Sequence, residues 1–135
     1  MQKRLTLSID DCKRIARLSK YAAADPAGYI NTLIEQWAKF VAQEVEPGYE
    51  FTIYDYRNDV DTRTEIEEVL QVLSPEGRRQ VESVLRPIDE RFKRATFPLK
   101  GSVWNHTLRQ WWYCRAPKRM GDDLERDLRV EGLID

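Results

Sequence analysis

Polar and apolar residues alternate cleanly at the start of the chain. Lys3, Leu5, Leu7 and Ile9 fall on one side of an extended segment and Arg4, Thr6 and Ser8 on the other, the period-two pattern of a half-buried strand. No hairpin partner follows, so this strand has to pair with distant chain or with a second copy of itself. From Asp10, an N-cap candidate, Cys12, Ile15, Ala16, Leu18 and Ala22 recur at helical spacing while Lys13, Arg14, Arg17 and Lys20 occupy the wet side. The run Ala23-Ala24-Asp25-Pro26 breaks that helix and opens another, because a proline in the first turn loses no hydrogen bond. Ile30, Leu33, Ile34, Trp37, Ala38 and Val41 give the second helix a broad apolar stripe, which Pro47-Gly48 ends.

Beyond that point the pattern changes. Glu50 to Arg57 has the aromatic and β-branched content of a strand, and Asn58-Asp59-Val60-Asp61 has turn chemistry. Thr64 with Glu67 predicts a capping box for a helix with Ile66, Val69, Leu70 and Leu73 inward. Ser74-Pro75-Glu76 opens the next helix, with Val81, Val84, Leu85, Ile88 and Phe92 facing the core and Pro87 as a kink. The Trp-rich stretch from Val103 to Arg115 has no assignable period, and a short helix from Asp122 to Val130 carries Leu124 and Leu128 inward. The expected class is therefore α+β, mostly helical, with a module over residues 1–46 and a small α+β unit over residues 47–135.

The chain has 135 residues, 41% of them hydrophobic and 33% charged, enough for a real core. No apolar run approaches the roughly 20 residues that span a bilayer, and the first residues form no apolar leader, so a cytoplasmic protein without a membrane partner is expected. Cys12 and Cys114 are too few for a disulfide scaffold and lack metal-ligand spacing. The net charge of −1 is unevenly spread: residues 1–45 carry seven Lys/Arg against five Asp/Glu, residues 46–92 six against twelve, and residues 93–135 nine against six. An acidic middle excludes nucleic-acid binding by bulk charge, and any such binding has to be local and geometric.

A lone strand with a polar face followed by two helices is a specific arrangement. Lys-Arg-Leu-Thr-Leu-Ser-Ile-Asp-Asp at 3–11, Ile15, Leu18, the break at 23–27 and Tyr29-Ile30-Asn31-Thr32-Leu33-Ile34-Glu35-Gln36-Trp37 resemble the ribbon-helix-helix DNA-binding family, that of the Arc, MetJ and CopG repressors. The resemblance covers residues 3–42 and implies a homodimer whose paired strands form an intermolecular two-stranded ribbon in the DNA major groove. It implies base reading by Arg4, Thr6 and Ser8, residue types suited to base edges. It also implies a phosphate held at the N-terminus of the second helix, near the amides of Ala27 and Gly28. Residues 25–28 bring no hydroxyl, and Asp25 repels phosphate unless its charge is absorbed as a cap, so backbone contacts rest further on Lys3, Lys13 and Arg14. By family analogy this is a transcriptional regulator or antitoxin-like repressor.

The second unit suggests other chemistry. Trp104, Leu108, Trp111, Trp112 and Tyr113, interleaved with Arg109, Arg115, Lys118 and Arg119, fit either the core of a small domain or a surface for bases or a protein partner. Trp111, Trp112 and Arg115 are the candidate partner surface, since adjacent tryptophans cannot share one face. His106 has no second base candidate nearby, and the carboxylates Asp59, Asp61, Glu65, Glu67 and Glu68 lack the spacing of a calcium loop. No catalytic set, phosphate-cradling glycine loop, metal site or cofactor motif is recognisable, and no enzyme activity is expected. The alternatives are a protein-interaction module that dimerises without binding DNA, and a small nuclease or toxin using His106 or Arg109.

Overall fold

A computed structural model describes residues 5–104 and 110–135. Helix α1 spans Ile9–Ala16, α2 Lys20–Ala24 and α3 Pro26–Phe40, followed by a π-helical turn at Val41–Val45. Two long helices come next, α4 at Ile53–Val72 and α5 at Pro75–Arg94. A short antiparallel pair, β1 (Thr96–Pro98) with β2 (Arg115–Pro117), sets Phe97 opposite Ala116, and α6 spans Asp122–Val130. The α+β, mostly helical class holds. Among the described residues no helix is long and apolar enough to cross a membrane. The chain groups into two compact units, Met1–Ala38 with Thr62–Ile88 and Lys39–Asp61 with Asp89–Asp135, a grouping that differs from a division in chain order at residue 46.

In the first unit helices lead, and no strand precedes them among the described residues: residues 5–8 are not a strand, and α1 already begins at Ile9, so the expected N-terminal ribbon finds no support. The reason is local. Ser8, not Asp10, is the N-cap, its hydroxyl accepting from Asp11 N at 3.1 Å, with Asp10 and Asp11 in the positive first turn. This capping overrides the period-two pattern and leaves Ile9 76% exposed instead of on a core face. Ser19 repeats the device, accepting from Ala22 N at 3.1 Å, so the expected single helix through Ala22 splits into α1 and α2. Ile15, Ala22, Ile30, Ile34, Trp37, Ile66, Val69, Val81 and Leu85 are buried as the core of this unit.

In the second unit, helix α4 takes the strand expected at Glu50–Arg57 from Ile53 onward and the whole of the turn expected at 58–61. Thr52 and Asp55 form the start of that helix: Thr52 N donates to Asp55 Oδ2 at 3.2 Å and Asp55 N to Thr52 Oγ1 at 3.4 Å, a reciprocal capping box. Asp127 adds a third cap by accepting from Ile53 N at 3.2 Å. The turn-forming carboxylates of 58–61 stay helical because aromatic donors occupy them. Tyr49 Oη donates to Asp59 at 2.6 Å, and Trp104 Nε1 and Tyr113 Oη donate to Asp61 at 2.9 and 2.8 Å, which removes their competition for the backbone. The Thr64–Glu67 pair lies inside α4 and begins nothing. Phe40, Tyr49, Tyr56 and Phe92 form the aromatic core, Tyr49 meeting Tyr56 edge-on at 5.3 Å, with Leu124 and Leu128 of α6 fully buried.

Candidate functional site

Of the residues expected to touch DNA, Ser8, Arg14 and Gly28 have partners within the first unit. Thr6 is exposed, while the hydroxyl of Ser8 is committed to capping α1. Lys13 and Arg14 are exposed on α1, and Arg14 Nη1 pairs with Asp11 at 2.9 Å. At the start of α3, Gly28 N donates to Asp25 Oδ1 at 3.1 Å, so the cap takes the amide that a phosphate would need, and Ala27 N remains beside it. Lys3, Arg4, His106, Leu108 and Arg109 lie outside the described residues.

The candidate partner surface separates in the same way. Trp112 is buried at 3% exposure, and Trp111 is half-buried with Lys93 Nζ 4.4 Å from its ring centre. Arg115 is spent on structure: Nε donates to Thr96 Oγ1 at 2.8 Å and Nη2 to the carbonyls of Lys93 and Thr96 at 3.1 and 3.0 Å. It thereby ties β1 to the carbonyl end of α5.

The second unit instead holds a cleft of about 310 Å³ lined by Val45, Glu46, Arg91, Arg94, Ala95, Lys118 and Arg119. Three segments build it. Arg91 and Arg94 lie in the last turn of α5, where the helix dipole favours cations. Val45 and Glu46 end the π-helical turn that continues α3. Lys118 and Arg119 follow β2, positioned by Lys118 N to Ala95 O at 2.9 Å and Tyr49 N to Arg119 O at 2.9 Å, with Gly121 N to Tyr49 O at 2.8 Å completing a parallel bridge. Gly48, at φ +137°, lets the chain turn from Pro47 into that bridge, a conformation that strains any residue with a side chain.

The cleft is cationic. Arg91 grips Glu46 through both Nε (3.1 Å) and Nη2 (2.5 Å), and this fork, more than the opposing burial, holds the Glu46 carboxyl below its ordinary pKa. Glu46 is thus fixed as an anion, with Arg94 adding further attraction. Arg94, Lys118 and Arg119 are exposed, and no ion pair engages them among the described residues. The second unit carries twelve Lys/Arg against fourteen Asp/Glu, so four cations around one carboxylate are a local concentration and not an overall bias. Its lining offers forked donors and point charges suited to binding a phosphate. Sequence order separates 91–94 from 118–119, and the signal left in the sequence is the run Arg91-Phe-Lys-Arg94 with the doublet Lys118-Arg119.

A second cluster in the same unit is acidic. Burial raises the Asp59 carboxyl above its ordinary pKa, partly offset by the Tyr49 hydrogen bond, and the charge of Asp55 adds to the rise. Glu44 is raised by burial and then by Asp59. Tyr49, buried and donating to Asp59, is held far above the range in which phenols ionise. A raised folded-state value means that Asp59 stabilises the fold below pH 3.8 and loses that contribution as pH rises through its folded value. Asp59→Asn, which keeps an acceptor for Tyr49, is therefore expected to be more stable than the natural chain at pH 7, the gap closing as pH falls toward 4. Urea titrations at both pH values check this, and a gap independent of pH contradicts it.

Compared with protein-family models, with curated proteins and with solved structures, the chain matches none.

Proposed function

We propose that this protein binds nucleic acid and that the cleft of the second unit makes its phosphate contacts. The observation that carries the reading is the convergence of Arg91, Arg94, Lys118 and Arg119 on one concavity with a single, already paired carboxylate. Lys93, on the same terminal turn of α5, adds a fifth cation, its ammonium 4.4 Å from the ring centre of Trp111. The net charge of −1 keeps such binding local. Affinity then depends on a few phosphates rather than on a broad basic face.

Fluorescence anisotropy with a labelled single strand tests it. Three cations set against phosphate charge, at roughly −0.7 each, give a slope of about −2 for log affinity against log salt. Arg94→Ala and Arg119→Ala should each weaken binding roughly tenfold, the scale of one lost charge-assisted contact. Both side chains are exposed, so the melting temperature should not move. No binding at low salt, or variants that bind like the natural chain, overturns the assignment. Thr6→Ala, measured on random-sequence duplexes, separates groove reading by the N-terminal segment from phosphate binding by the cleft.

A further inference from the structure

We propose that the cleft takes the terminal phosphate monoester of a nucleic-acid strand, in preference to an internal phosphodiester; this rests on the nucleic-acid reading above. Shape is the first argument. The concavity of about 310 Å³ is walled by the Val45–Glu46 turn, the last turn of α5 and the Lys118–Arg119 segment. The concavity is open on one side, so a strand end can set its terminal phosphate among these cations.

Charge is the second argument. An internal diester carries one negative charge, but a terminal monoester carries about −1.5 to −2 near neutral pH and offers three strong acceptor oxygens. After Glu46 neutralises Arg91, the cleft retains three positive charges, on Arg94, Lys118 and Arg119. That surplus suits a dianion better than a monoanion. The Glu46 fork uses Nε and Nη2 of Arg91 and leaves its Nη1 donors for the ligand. Glu46 is therefore a positioning residue: it orients Arg91 and repels a phosphate seated too near the turn.

The experiment uses the full chain and one short strand, labelled internally and prepared with a 5′-phosphate, with a 3′-phosphate or with hydroxyls at both ends. A nucleoside monophosphate, inorganic phosphate and a phosphoserine peptide serve as competitors. The expected result is binding at least about tenfold tighter for one phosphorylated end, the size of one added charge-assisted contact. Arg94→Ala and Lys118→Ala should reduce that advantage to less than threefold without changing the melting temperature. The nucleoside monophosphate should compete better than the peptide, and inorganic phosphate should compete weakly. Equal affinity for all three strands overturns terminal recognition and leaves the nucleic-acid reading standing. Binding of no strand overturns both. A terminal preference that survives both substitutions places recognition elsewhere, and stronger competition by the phosphopeptide reassigns the cleft to protein; each rejects the proposal.

Discussion

Phe92→Ala is expected to lower the unfolding free energy by about 4 kcal/mol, within the range for removing a fully buried aromatic ring. The ring is 0% exposed, with centroids 6.4 Å from Phe40 and 6.1 Å from Trp111. Its loss opens a void bounded by aromatic faces, which are too stiff to collapse into it. The same residue anchors the end of α5, its carbonyl accepting from Thr96 Oγ1 at 2.7 Å and Ala95 N at 3.1 Å. Arg91 and Lys93 flank it in sequence, so a loosened Phe92 also releases the cations at the cleft. Urea unfolding followed by tryptophan fluorescence measures the first effect, and strand binding at a temperature where the variant is folded measures the second. Phe92→Leu retains most of the volume and should cost about 1.5 kcal/mol. A Phe92→Ala cost below 1 kcal/mol is incompatible with a closed aromatic core around this ring.

Much of the helical framework is legible in the sequence because its signals are local. Asp25-Pro26 and Ser74-Pro75 each combine a cap with a first-turn proline, Asp122–Val130 sets Leu124 and Leu128 four residues apart, and the structure places helices at all three. Where two local signals compete, the sequence alone ranks them badly. Ser8 ends an alternating run and equally caps a helix, and the cap prevails because its acceptor satisfies an amide that the first turn would otherwise leave open. Glu50–Arg57 has strand composition, yet Thr52-Ile-Tyr-Asp55 is itself a capping box, and Ile53, Tyr56 and Val60 bury one face at helical spacing. The strands β1 and β2 were invisible since three residues each carry no period, and their pairing joins positions about twenty residues apart.

The cleft was hidden for a different reason. Arg115 stands in a basic, Trp-rich run and looks available, but three hydrogen bonds to Thr96 and Lys93 commit its Nε and Nη2 donors and hold the side chain against the fold. Lys118 and Arg119, three and four residues later, are the ones that stay exposed. Which cations are spent on the fold and which are left for a ligand depends on tertiary partners, and charge counting cannot separate them.

Asp11→Ala should destabilise the first unit by about 3 kcal/mol, because it removes a buried carboxylate that three donors share. Ser74 N and Ser74 Oγ donate to it at 2.8 and 2.7 Å and Arg14 Nη1 at 2.9 Å, and Asp11 itself is 1% exposed. Burial opposes its charge, but the bonds from Ser74 and Arg14 more than offset burial and hold the carboxyl below its ordinary pKa of 3.8. The contribution is therefore complete at neutral pH and disappears as pH falls through the depressed folded-state value. The stability curves of Asp11→Ala and the natural chain should converge in acid, which unfolding titrations from pH 7 to pH 2 will show. Gly77 makes the junction testable from the other side. A Cβ there would stand 2.3 Å from Asp11 Oδ2, so Gly77→Ala must displace the carboxylate from Ser74. In the natural background that displacement is costly, whereas in Asp11→Ala the obstructing carboxylate is gone and the added methyl group meets Ser74 Oγ at 3.4 Å, an ordinary contact distance. The two substitutions should thus be strongly sub-additive, by 1 kcal/mol or more, as expected for residues in direct contact. Additive effects would mean that Asp11 does not occupy the space beside Gly77, and the junction between α1 and the start of α5 would have to be redrawn.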